Sequence, residues 1–207
     1  FASGLRSLLR QDPNILMVGE IRDQETANLA INAALTGHLV LSTLHTNSAA
    51  GSIPRLLDMG AEPFLISSTL NAVIAQRLVR RLSGEKEEYK LSAKDVQGLA
   101  GYCNEKKVTD LLLGEKIIKP RETLQDVTFW KPKPSSEAPD GYQGRIGIYE
   151  VLPVTESIKE LIVSHATSDK IQDRAEQEGM VTMVEDGIVK AAQGLTTIEE
   201  VLRVITE

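Results

Sequence analysis

Two short apolar runs end in groups that can do chemistry. Ile15-Leu-Met-Val18 leads through Gly19 into Glu20, with Arg22 and Asp23 directly after it. Leu39-Val-Leu-Ser-Thr43 likewise ends in polar groups: Thr43, His45 and Asn47. Runs this short, bounded by Gly or polar residues, read as strands buried on both faces of a parallel sheet. The carboxyl edge of such a sheet is where open α/β folds bind their ligands. Two neighbouring strands that deliver an acid and an imidazole to one edge suggest a site. The acid's plainer use is to sit at the positive N-terminus of the next helix.

Each neighbouring residue also has a plain alternative. A lone histidine such as His45 can serve as a buried structural residue bonded to backbone. Asp23 is most simply a helix N-cap. Arg22 either pairs with Asp23 or approaches a phosphate, and its position alone does not choose. His38 lies at the other end of its strand from His45. An extended five-residue strand separates the two by roughly 15 Å or more, which argues against one metal site using both. Cys103 stands alone, and a lone Cys more often packs than reacts.

The elements that would position these groups follow from periodicity. Leu5, Leu8 and Leu9 have helical spacing, and Asp12-Pro13 breaks that helix. After Asp23, residues Ala27, Ala30, Ile31 and Ala34 share one helical face, and Gly37 suits the residue just past the helix end. Ser48 is placed to cap a helix running through Leu57 and ended at Gly60, and residues 62–74 read as another. Residues 83–140 change character: two short helices within 92–114, then the Pro-rich loop 131–141. Gly144 to Leu152 returns as a strand, and the chain is helical from Thr155 onward. Thr197 with Glu200 has capping-box spacing.

Composition narrows the function. The 207 residues suffice for one sizeable core with a small appended subdomain. A net charge of −6 gives no support for nucleic-acid binding, although Arg77, Arg80 and Arg81 form a local basic patch. The single cysteine excludes an internal disulfide framework and fits a reducing cytoplasm. No apolar run approaches the ~18 residues of a membrane-spanning helix. Direct membrane insertion is therefore not expected, and any membrane association would come through partner proteins.

The order of motifs carries a resemblance. The stretch GEIRDQETANLAINAALTGHLVLSTLHTNSA resembles the Walker B region and His box of the secretion ATPases that power type II secretion and type IV pilus assembly. The resemblance continues through RLLDMGAEPFLISSTLNAVIAQRLVRRL, GYQGRIGIYEVLPV and GMVTMVEDGIVKAAQGLTTIEEVLRVITE, leaving only residues 83–140 outside it. It implies an α/β fold: part of a RecA-like P-loop NTPase sheet followed by an α-helical carboxyl subdomain. The implied organisation is residues 1–82 as the carboxyl part of the ATPase core, 83–143 as an insert, and 144–207 as a returning strand and helical subdomain.

The resemblance also assigns roles. Glu20 becomes the catalytic acid that orients water near Mg²⁺, directly or through a water molecule. Gly19 stands where many P-loop proteins hold an Asp. His45 becomes the His-box imidazole against the γ-phosphate. Arg22, Arg77 and Arg145 join Gly19, Glu20 and His45 as candidate nucleotide-binding residues. Arg77 reads equally well as a phosphate or interface cation and as a surface cation. The cofactors implied are ATP and Mg²⁺. The partners implied are a homo-hexamer, an inner-membrane platform protein and a cytoplasmic adaptor, with the motor cytoplasmic and peripheral to the bacterial inner membrane.

Two departures from the family pattern qualify these expectations. No Gly-x-x-x-x-Gly-Lys-[Ser/Thr] loop occurs among these residues. The chain is therefore expected to be the carboxyl part of a motor that alone hydrolyses ATP negligibly; an adaptor without a nucleotide loop is the non-enzymatic alternative, and a pilus-retraction relative the other. Many members also carry two CxxC pairs that bind zinc. Here those positions are Ser83 and Lys86, then Pro134 and Glu137, so no zinc is expected. Apolar packing around Leu99, Leu111, Leu112, Leu113, Ile117, Ile118, Phe129 and a largely buried Trp130 is expected to hold the insert instead.

Overall fold

The structure is a computed structural model that describes residue 11 and residues 13–206. The helix expected around Leu5, Leu8 and Leu9 lies outside the described residues. Strand β1 (Ile15–Val18) pairs in parallel with β2 (Leu39–Ser42), with Ile15 opposite Leu39 and Val18 opposite Ser42. Between them runs helix α1 (Gln24–Leu35), so the three elements make one βαβ crossover. Asp23 begins α1: its backbone is extended and its carboxylate accepts the Thr26 N–H at 2.8 Å. Gly37 ends it at φ +94°, a conformation that costs a side-chain-bearing residue dearly.

Helix α2 (Ser52–Asp58) starts four residues after Ser48, whose hydroxyl accepts the Gly51 N–H in the preceding turn. Helix α3 (Pro63–Thr69) is shorter than expected. The chain is already extended at Ala72, where strand β3 (Ala72–Leu82) begins. Strand β4 (Lys86–Lys90) pairs antiparallel with β5 (Thr128–Pro132), and the helices α4 (Ala93–Leu99) and α5 (Glu105–Gly114) lie between them in sequence. Strand β6 (Tyr142–Pro153) pairs with β3. Four helices complete the chain: α6 (Glu156–Val163), α7 (Ser168–Gln177), α8 (Met183–Ala192) and α9 (Ile198–Thr206).

These elements form two compact units that are discontinuous in sequence. The first takes the chain up to Ala75 together with Val151–Met180. It buries Val18, Ile21, Ala30 and Ile31 of the βαβ crossover with Ile66, Ile158 and Ile162, and α3 packs against both α1 and α6. The β1–β2 sheet is covered on one face only among the described residues. Leu16 and Val18 are buried, whereas Ile15, Met17, Leu39 and Leu41 are exposed. Burial of both faces, expected from the continuous apolar runs, is therefore not found.

The second unit takes Gln76–Glu150 with Val181 onward. Its core joins the inserted helices to the last two: Leu99, Val108, Leu112 and Phe129 pack with Val184, Ile188 and Ile198. Lys107 on α5 makes a 2.8 Å ion pair with Glu185 on α8, a carboxylate almost wholly buried. Trp130 is mostly covered and its indole nitrogen is buried, whereas Leu113 is exposed. The Thr197–Glu200 spacing forms half a capping box: Thr197 Oγ1 accepts the Glu200 N–H, but the Glu200 carboxylate binds Arg80 and Arg203 instead.

Candidate active site at the carboxyl edge of the parallel pair

Past Val18 and Ser42 the two strands stop pairing as a ladder, and the chain delivers polar groups to the same edge. Glu20 Oε2 lies 2.8 Å from His45 Nε2 and 2.6 Å from Arg22 Nε. Both contacts fall on one oxygen; Oε1 takes no hydrogen bond among the described residues. The Arg22 guanidinium first, and the His45 imidazole second, hold the Glu20 carboxyl below the usual carboxylate range. Glu20 is therefore a carboxylate at neutral pH. With Arg22 in place it is a better acceptor for a water O–H than a sink for a whole proton.

The backbone around Glu20 is held from β2. Thr43 Oγ1 donates to the Gly19 carbonyl at 2.6 Å, and the Ile21 N–H donates to the Thr43 carbonyl at 3.0 Å. Ile21 is buried in the first unit's core and anchors the far side of the turn. Gly19 is exposed, and a Cβ placed there would meet nothing within 4 Å. Its φ lies outside the left-handed region, so neither crowding nor backbone conformation demands glycine at this position. His45 is exposed, which removes the reading of a buried structural histidine. Arg22 pairs with Glu20, and Asp23 is used as the cap of α1. His38 is accounted for at the other strand end, where Nδ1 lies 3.0 Å from both Thr36 Oγ1 and the Ala33 carbonyl.

The family description "Type II/IV secretion system protein" matches residues 1–203. The chain belongs to that family. It is 46% identical to the type II secretion system protein E of Xanthomonas campestris pv. campestris over 99% of its own length and 33% of that protein's. It is 43% identical to the type IV pilus assembly ATPase PilB of Myxococcus xanthus over 98% of its length and 33% of that protein's. The chain thus spans about a third of the length of these curated relatives. Among solved structures, the pilus retraction motor PilT with bound ADP matches 98% of this chain and 43% of that one, at TM-score 0.62 and 27% identity. The expected fold class holds: mixed α/β, shared with ATPases, with a carboxyl end made of helices.

Within this secretion-family chain the candidate residues divide between the units. Gly19, Glu20, Arg22 and His45 belong to the first and come together at one sheet edge. Arg77, half-buried on β3, and Arg145, exposed on β6, belong to the second. Thr43 is the residue whose part was not drawn out of the sequence; its signal was a hydroxyl at the same strand end as His45. At the positions where many members bind zinc, Ser83 Oγ donates to the Glu85 carbonyl at 3.1 Å and Lys86 Nζ to the Gly194 carbonyl at 2.9 Å. The Lys86 ammonium also lies 4.6 Å from the centre of the Trp130 ring. Cys103 is half-buried with its thiol pushed up to about 11 by burial.

Proposed function

We propose that this chain is part of the catalytic domain of a hexameric ATPase that powers type II secretion or type IV pilus assembly. Glu20 orients the attacking water and His45 meets the γ-phosphate. The observation that carries the reading is the Glu20–His45 contact at the carboxyl edge of a parallel strand pair. Relatives at 43–46% identity bear the names of such machines and, for PilB, of an ATPase, which supports the same assignment. The rest of the relatives' length is where we place the phosphate-binding loop.

The donor set suits Mg²⁺. That ion keeps several waters and is held by one or two carboxylates together with substrate phosphates. Glu20 Oε1 and the open space beside Gly19 offer one such carboxylate with room around it. No group of three or more His, Cys, Asp or Glu side chains among the described residues makes a closed metal cage. Bound there with ATP, Mg²⁺ would neutralise phosphate charge. Glu20 would hold it directly or through water, while orienting the nucleophile. A phosphate oxygen competing for His45, and a phosphate or neighbouring subunit competing for Arg22, would free the carboxylate to act. Arg77 and Arg145 serve the nucleotide or the subunit interface in this proposal. The motion reaches an inner-membrane platform protein and a cytoplasmic adaptor. The motor stays in the cytoplasm, and no helix among the described residues is long and apolar enough to cross a membrane.

The test is the His45→Ala variant of the full-length protein, assayed for ATP and ADP affinity by titration. Only ATP offers the γ-phosphate contact, so affinity for ATP should fall relative to ADP by roughly tenfold, the scale of one charge-assisted hydrogen bond. An unchanged ATP-to-ADP ratio would refute the assignment of His45.

A further inference from the structure

We propose that Thr43 is a positioning residue for hydrolysis, its hydroxyl and carbonyl together fixing the two peptide planes that flank Glu20. The proposal rests on the reading of Glu20 as the water-orienting group. The Gly19 carbonyl belongs to the peptide entering Glu20 and accepts Thr43 Oγ1–H at 2.6 Å. The Ile21 N–H belongs to the peptide leaving Glu20 and donates to the Thr43 carbonyl at 3.0 Å. One residue just past the end of β2 thus holds both ends of the Glu20 backbone unit. The ladder between β1 and β2 supplies no such hold, because its register ends at Val18 opposite Ser42.

The hydroxyl contact matters because of what lies beside it. Gly19 is the most permissive residue for backbone rotation, and nothing packs where its side chain would be. Without a donor on its carbonyl, the Gly19–Glu20 peptide could rotate with little steric resistance. The Glu20 carboxylate would then leave the position from which it reaches His45. On the other side Ile21 is buried in the core, so slack would collect at Gly19. A hydroxyl at 43 therefore acts on the reaction through Glu20 and touches no reacting atom. Catalytic geometry tolerates little error: a displacement of about 1 Å commonly costs on the order of a hundredfold in rate.

The experiment compares Thr43→Val, Thr43→Ala and Thr43→Ser in the full-length protein, alone and combined with Glu20→Gln, by steady-state ATPase kinetics and thermal melting. Val keeps the shape and loses the donor; Ser keeps the donor. The expected result is a kcat lowered about ten- to hundredfold in Val and Ala, with KM for ATP within about twofold of wild type. Ser should restore kcat to within about threefold, and Val should add nothing to the Glu20→Gln variant, since a lost orienting group cannot be misplaced twice. Val and Ala turning over like wild type while Glu20→Gln is inactive would overturn the positioning role alone. So would Ser as slow as Val, or Val slowing the Glu20→Gln residual rate by the same factor as it slows wild type. Glu20→Gln turning over at the wild-type rate would remove the reading beneath the proposal, and the proposal with it.

Discussion

Glu200→Gln should cost the second unit about 3 kcal/mol at neutral pH, and most of that cost should vanish in acid. Glu200 is 2% exposed, yet ionised. Its carboxylate accepts the Arg80 N–H at 3.1 Å and Arg80 Nη2 at 2.6 Å, then Arg203 Nε and Nη2, each at 3.0 Å. Burial pushes its pKa up, but the Arg80 and Arg203 donors outweigh burial and bring it down from 4.5 to about 2. A drop of that size corresponds to about 3 kcal/mol of preference for the ionised form in the folded state. Because the folded pKa is depressed, this stability is complete above about pH 4.5 and is lost as pH falls toward 2. Gln keeps the shape but has no charge for Arg80 and Arg203. The assay is urea unfolding followed by the fluorescence of Trp130, the chain's one tryptophan and a member of the same unit. Wild type should exceed the variant by about 3 kcal/mol at pH 7, shrinking to under about 1 near pH 2.5. A difference below about 0.5 kcal/mol at pH 7, or one constant from pH 7 to 2.5, would refute the reasoning.

The contact between α8 and α9 predicts that Gly187→Ala is destabilising by about 1–3 kcal/mol despite alanine's better helix propensity, because the new Cβ would sit 2.5 Å from Val201 Cγ1 and 2.7 Å from Cγ2; an unfolding midpoint equal to wild type's would contradict it. Chelation should leave the Trp130 transition unmoved and elemental analysis should find no stoichiometric zinc, since Ser83 and Lys86 are committed to carbonyl oxygens; one zinc per chain, lost together with folding, would overturn this.

Local features were the legible ones. Asp23 as a cap, the apolar face of α1 and the left-handed Gly37 each depend on neighbours within a few residues, and each is found. Strand β3 was not legible for the reason that makes it a strand. Ile74, Leu78 and Leu82 repeat every four residues and suit a helix as well as a strand. Its extended form comes from β6, some seventy residues later. Strand β4, Lys86-Glu-Glu-Tyr-Lys90, carries four charges in five residues and gives no apolar signal; pairing with β5 makes it a strand. Divisions at residues 82 and 143 are what the family resemblance implies; contacts group the chain into units that change after Ala75, Glu150 and Met180. At the site, Glu20 and His45 could be placed on one edge by reading strand ends. The choice of Glu20 over Asp23 as Arg22's partner could not, because it depends on which way Glu20 leaves the strand. Nor could the Glu200 carboxylate's commitment to Arg80 be read, the two lying 120 residues apart.

The central claim, that Glu20 activates water for ATP hydrolysis, is tested most directly by Glu20→Gln in the full-length protein, with ATP binding and single-turnover hydrolysis measured on the same sample. The substitution keeps the size of the side chain and removes the charge that Arg22 and His45 hold at Oε2. Binding should persist while the hydrolytic rate falls by about a hundredfold or more. A hydrolytic rate within about threefold of wild type would contradict the account and send the search for the water-orienting group to another residue.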